Sequence, residues 1–383
     1  MIGRGLLAGV LALQIVAVPA LTTPALAVGA PEKCDPPRGT MAIAESWAQR
    51  RLDPKRVWPI TSGQGVTVAV VDSGVDLDHP QLRLAGKADL TGTGFRDCVG
   101  HGTAVAGIIG ARWTKGVAFY GVAPGVRLLS FKQANEEHRG DPELLVKAIR
   151  AATDLKADVI NISITMEDGT PGLKAAIDYA LRNNVVVVAA AGNIKKEDGT
   201  PAPAYPAGYP GVISVGSAGP DGRRTDFSNA ATPVSVIGPG AGLVSTWPGK
   251  AYATDLNGTS YAAPYVAGVA ALVRARFPHL GQEQVRRRIM QTADGAGGEG
   301  TGAGMVNPLL AVTAILPSEN GPALAPPVAT PLPADVVSKV PPTDHDAIRL
   351  ALILGAGALA GIGLVVAARI LVPMGRRRAW RVH

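Results

Sequence analysis

Short apolar, β-branched runs separated by stretches of helix length fill the middle of this chain, and that alternation restricts its fold more than any other feature. The runs lie at 66–71, 126–131, 159–162, 185–190 and 212–215. Amphipathic stretches at 102–110, 141–155, 172–183, 261–276 and 281–291 carry helical periodicity. A strand that is apolar at every position, rather than at every second one, has no face for water and belongs in a sheet covered on both sides. The pattern predicts an α/β domain, a doubly wound parallel sheet sandwiched by helices, with ligands at the carboxyl ends of the strands.

The two ends of the chain have a different character. Residues 1–27 begin with Arg4, continue through an apolar run and finish in Ala25-Leu26-Ala27, which reads as a cleaved signal peptide; an uncleaved anchor is the alternative. Residues 350–368 carry no charge. At about 1.5 Å per residue they reach roughly 28 Å, close to a bilayer's hydrocarbon thickness. The expectation is one transmembrane helix at 348–372 and a basic tail at 373–383. Arg376, Arg377, Arg378 and Arg381 put that tail on the cytoplasmic side and the peptide before it outside. The formal charge is +7, but these four arginines and Arg4 carry five of those charges. Nucleic acid as a partner therefore has little support. Gly357 and Gly361 form a small-residue pair that chance explains as well as helix packing does in so Ala- and Gly-rich a segment.

Residues 317–347, dense in Pro and poor in aromatics, cannot bury a core and read as a stalk. That leaves an N-terminal extension at 28–59 and a catalytic-size domain at 60–316. Cys34 and Cys98 are the two cysteines. In an exported domain they favour a disulfide over free thiols, and a metal pair lacks further Cys or His neighbours.

Three motifs fall at element boundaries, where side chains can converge on a cleft. Val70-Val71-Asp72-Ser73-Gly74 ends the first strand, Gly100-His101-Gly102-Thr103 opens a helix, and Asn257-Gly258-Thr259-Ser260-Tyr261 opens another. Cleaving an amide calls for an alcohol, an imidazole to take its proton, and a carboxylate to fix the imidazole tautomer. Ser260, His101 and Asp72 suit those roles. Asn193, in Ala190-Ala191-Gly192-Asn193, and the Ser260 backbone N–H suit the donors for a developing oxyanion.

These motifs, with Gly121–Pro124 (GVAP) and Ile160–Ser163 (INIS), make the sequence resemble the subtilisin family of serine peptidases over most of residues 60–310. The resemblance implies a subtilisin-like fold, Asp72, His101 and Ser260 as catalytic triad, Asn193 as oxyanion donor, and a protein or peptide substrate. Residues 46–75, the Cys98-Val99-Gly100-His101 approach and the arrangement of signal, stalk, span and basic tail are similar to the mycosins, membrane-bound subtilases associated with type VII secretion. That likeness implies an extracytoplasmic endopeptidase at the cell membrane, processing proteins exported by a type VII secretion membrane complex. The alternatives are a scaffold of that complex with dispensable proteolysis, or a tethered degradative peptidase.

Two departures stand out. Where many subtilisins carry Ser-Leu-Gly-Gly, this chain has Ser163-Ile164-Thr165-Met166, which puts side chains on the edge that pairs with substrate. The segment before Asp72 is also short for a folded propeptide, so it is expected to wrap the domain. Asp72-Ser73-Gly74 also matches the aspartic-protease motif, but no second copy exists to share a proton. Turn chemistry accounts for Asp76, Asp78 and His79, and no metal site is assigned. No cofactor is required for the chemistry, and no calcium loop is legible. Tyr205 and Tyr209 suit either a substrate pocket or a solvated loop.

Overall fold

The strand at Thr67–Asp72 shows why the sheet forms where it does. Every one of its side chains is buried. Val68 and Val70 enter the core on one face and Ala69 and Val71 the core on the other, because side chains alternate along a strand. The computed structural model describes residues 34–135, 140–194, 202–295, 298–319 and 345–377. The expected signal peptide, most of the expected stalk, and Arg378 and Arg381 lie outside the described residues.

Seven strands form the main sheet: β1 (Thr67–Asp72), β2 (Leu84–Asp89), β3 (Arg127–Lys132), β4 (Val159–Ile162), β5 (Val186–Ala190), β6 (Ile213–Ala218) and β7 (Val236–Pro239). All pairings are parallel, in the order β2-β3-β1-β4-β5-β6-β7. The order reverses direction at β1, so the carboxyl ends of β1 and β4 flank a topological switch point. A separate antiparallel hairpin joins β8 (Leu243–Trp247) and β9 (Ala251–Leu256).

The helices are α1 (Trp47–Leu52), α2 (His101–Gly110), α3 (Pro142–Asp154), α4 (Pro171–Arg182), α5 (Thr259–Arg276), α6 (Gln282–Gln291), α7 (Pro308–Thr313) and α8 (His345–Arg377). α2 and α5 cover one face of the sheet and α3 and α4 the other. Local chemistry sets their starts. Asp141 accepts from the N–H groups of Glu143 and Leu144 ahead of Pro142, and Thr170 accepts from Leu173 ahead of Pro171.

The five expected strands and five expected helices appear within one to three residues at nearly every boundary. β2, β7, the β8–β9 hairpin, α1 and α7 were not legible. α8 runs from His345 to Arg377, longer than the expected span, and is long and apolar enough to cross a membrane. The chain divides into two compact units, Met1–Pro322 and Ala323–His383.

Residues 34–59 lie along the domain and send a few side chains into its core. Ala48 and Leu52 of α1 and Val57 are buried in it, and a capping box between Ser46 and Gln49 starts α1. Thr40 exchanges two backbone hydrogen bonds with Tyr252 of β9. A Cys34–Cys98 disulfide spans 64 residues, a closure worth about 4 kcal/mol in the chain-entropy account.

Two buried polar groups hold the periphery. His79 accepts the Gln81 N–H on Nδ1 at 3.3 Å, so Nε2 donates to the Ala251 carbonyl at 3.1 Å. This is the neutral imidazole, and burial lowers its pKa below the ordinary 6.5. At the C-terminal end, Arg288 lies over the Phe277 ring and makes a bidentate pair with Glu319 at 2.8 and 2.6 Å. It also donates to the carbonyls of Ala311 and Ala314.

Removing one partner of a buried ion pair strands the other. Arg288→Ala is expected to cost roughly 3–5 kcal/mol in a denaturant unfolding experiment. A depressed histidine pKa means that the unfolded chain binds more protons than the folded one below 6.5. Stability is therefore full above that pH and falls as pH drops through the window beneath it. Thermal unfolding across that range should show the decline, and His79→Gln should flatten it.

Candidate active site

Asp72 is the last residue of β1, and His101 the first of α2. His101 Nδ1 lies 2.7 Å from Asp72 Oδ1, and both residues are 1 % exposed. Ser73 N–H donates to the same oxygen at 2.8 Å. An ionised carboxylate only accepts, so Nδ1 carries the proton and Nε2 becomes the basic nitrogen. Gly102 permits the approach: a Cβ there would sit 2.1 Å from the Gly74 carbonyl oxygen and 3.1 Å from Asp72 Cβ. Any other residue would push α2 off β1.

A second carboxylate organises this junction. Asp97, 3 % exposed, accepts on Oδ1 from Ser73 Oγ and from the N–H groups of Val99 and Gly100. On Oδ2 it accepts from the N–H and hydroxyl of Thr103. It serves the free donors at the start of α2, where a negative charge is favoured. Burial pushes its carboxyl above the ordinary range, against the opposing pull of the Thr103 and Gly100 donors. Sequence reasoning missed Asp97, although an acidic residue four positions before a helix-opening histidine was the available signal.

Ser260 is the second residue of α5, and the Tyr261 ring packs against the His101 imidazole with centroids 4.8 Å apart. Pro264 lies inside α5 and has no N–H, so the Ser260 carbonyl loses its helical partner. Ser163 fills the gap, its Oγ donating to the Ser260 oxygen at 2.7 Å. Asn161 Nδ2 donates in turn to Ser163 Oγ at 2.9 Å. Ser163 directly follows β4, the neighbour of β1. Both the imidazole's carboxylate and the serine's backbone are therefore fixed at adjacent strand ends.

Gly258 precedes α5 with φ +152°. A Cβ placed on it would lie 3.0 Å from Ser260 Oγ and 3.5 Å from Asn193 Nδ2. The hydroxyl and the amide donor thus surround one point. Asn193 Oδ1 accepts from the N–H and the hydroxyl of Thr259, both at 3.0 Å. The oxygen is committed, so the amide presents Nδ2 as its donor.

The remaining sequence candidates have structural partners. Asp76 accepts from the N–H groups of Asp78, Gly249 and Lys250. Tyr205 exchanges two backbone bonds with Met166 and stacks on Tyr209, whose hydroxyl donates to the Thr170 carbonyl. The edge at Ser163–Met166 is thereby closed at its far end. Among the described residues no cluster of metal-ligating side chains is present.

Known proteins resemble this chain in sequence and in fold. The Subtilase family profile matches residues 63–309. Subtilisin DY of Bacillus licheniformis is 40 % identical over 238 residues, covering 61 % of this chain and 86 % of its own. Mycosin-1 of Mycolicibacterium smegmatis is 33 % identical over 381 aligned positions, covering 84 % of each chain. A crystal structure of MycP1 from the ESX-1 type VII secretion system superposes with a TM-score of 0.65 at 32 % identity. That match covers 75 % of this chain and 91 % of the other. With its fold and these relatives in agreement, the chain belongs to the subtilase family and is a subtilisin-like serine peptidase related to the mycosins.

Proposed function

We propose that this chain is an endopeptidase anchored in the cell membrane by α8, with its globular unit on the extracytoplasmic side. Its substrates are proteins exported by a type VII secretion system. The buried 2.7 Å contact between His101 and Asp72, next to a serine and an amide donor that share one point in space, carries the chemical part of the reading. The similarity to mycosin-1 across most of both chains supports the secretion part. The apolar helix and the arginines that follow it support the anchor and its orientation.

In the proposed reaction Ser260 Oγ attacks the scissile carbonyl as His101 Nε2 takes its proton. Asp72 stabilises the imidazolium that results without accepting the proton itself. Negative charge grows on the carbonyl oxygen, where Asn193 Nδ2 and the Ser260 N–H donate to it. Collapse expels the amine with the proton returned by His101. The acyl group left on Ser260 Oγ is then removed by water along the same proton route. Asp97 holds the N–H groups of Val99, Gly100 and Thr103 on either side of His101, Ser163 holds the Ser260 carbonyl, and neither touches a reacting atom.

Labelling with a fluorophosphonate probe tests the nucleophile. The full chain should label, Ser260→Ala should not, and labelling that persists in Ser260→Ala would refute the assignment. Asn193→Ala should lower kcat by about a hundredfold to a thousandfold with KM little changed, a range taken from the corresponding donor in a subtilisin. Ser163→Ala leaves the Ser260 carbonyl without its hydroxyl partner. A loss of about 1–1.5 kcal/mol, roughly tenfold in kcat, is expected in steady-state assays.

A further inference from the structure

The amino-terminal end of the sheet, opposite the site, has the composition of a surface that meets lipid. Among the described residues of the globular unit, five of the eight exposed large apolar side chains are Ile60, Trp113, Leu155, Leu310 and Ile315, and all five lie at this end. Trp113 follows α2, which runs away from the site, and is 52 % exposed. Leu155 caps the matching end of α3, and the turn at 62–65 that leads into β1 bonds to Gly125 ahead of β3. Lys55, Trp58, Ser62, Trp113 and Pro124 line a shallow cavity of about 520 Å³ here.

Charge follows the same distribution. Lys55, Arg56, Arg112, Lys115, Arg127 and Lys156 are exposed at this end, against half-buried Asp53 and Asp158, a Glu283 paired with Arg286 and an Asp154 that accepts the Tyr179 hydroxyl. Tryptophan flanked by basic side chains suits the headgroup layer of an anionic membrane, where the ring sits at the interface and each cation gains from the surface potential.

The course of the chain selects the occupant. α7 packs against Pro54–Arg56, and the segment that follows it runs past Ile315 to Glu319. Glu319 is clamped by Arg288 over Phe277, the residue capping the far end of α5. The described part of the globular unit therefore ends, at Glu319, on the aromatic and basic side, and the apolar helix comes next among the described residues. We infer that this end, centred on Trp113, Lys55 and Lys115, rests on anionic phospholipid headgroups and turns the cleft away from the bilayer. The inference depends on the membrane-anchor reading of α8.

The test uses the full chain reconstituted into vesicles of phosphatidylcholine alone, or of equal parts phosphatidylcholine and phosphatidylglycerol. The lipids are brominated near the top of the acyl chain. The difference in emission between the native chain and Trp113→Phe isolates the Trp113 signal. That signal should be quenched in the anionic vesicles and recover in high salt. It should fall at least about threefold in the Lys55→Glu/Lys115→Glu double variant, since each cation near an anionic surface is worth roughly a fivefold change in partitioning. Peptidase activity of the double variant should be unchanged.

Resistance to alkaline carbonate extraction with no quenching of Trp113 would overturn the inference and leave the anchor standing. Release of the chain by carbonate would overturn the anchor and this inference with it. Trp113 unquenched in vesicles but shielded from iodide in native membranes would also overturn it, by assigning the surface to a protein partner.

Discussion

The contact between Asp72 and His101 depends on two chain segments being brought together inside a protein core, where an unpaired charge would cost several kcal/mol. The sheet supplies one half by ending β1 at Asp72. The other half needs α2 to start within van der Waals reach of that strand end, which Gly102 allows. Asp97 then secures α2 by occupying the N–H groups that no helical carbonyl can serve. Ser73 links the two carboxylates, its N–H on Asp72 and its hydroxyl on Asp97. Removing any of these would leave the imidazole with a choice of positions.

The serine side of the cleft is fixed by a different device. A proline inside a helix normally disrupts it, but here the missing N–H releases one carbonyl at the position of Ser260, and a hydroxyl from the neighbouring strand end takes it up. The start of α5 is thus tied to β4, as the start of α2 is tied to β1. Because β1 and β4 are paired in register, Val71 with Ile162, the two helix starts share one rigid reference. Tyr261 packing on the imidazole closes the circuit.

Much of this was legible in the sequence for physical reasons. Strands buried on both faces are nearly continuous in apolar residues, so β1, β3, β4, β5 and β6 announced themselves. β2 did not: its Leu84–Asp89 segment is only half buried, as befits an edge strand, and includes Gly, Lys and Asp. β7 is four residues long and ends in Gly-Pro, a composition that reads as a turn. α1 and α7 are six residues each, too short for periodicity to register. Asp72, His101, Asn193 and Ser260 could be named because their chemistry is written in local motifs. Asp97 serves nearby N–H groups and the distant Ser73 hydroxyl, and Ser163 a carbonyl 97 residues away; neither lies in a motif that names its role, and only the folded chain shows which groups they serve.

The clamp between Arg288 and Glu319 also decides where mechanical load enters the molecule. Tension arriving along the polypeptide from its C-terminal side is taken up by α6 and by the capped end of α5, while Ser260 sits at the opposite end of a helix roughly 27 Å long. A pull applied at Glu319 is therefore absorbed a full helix length from Ser260.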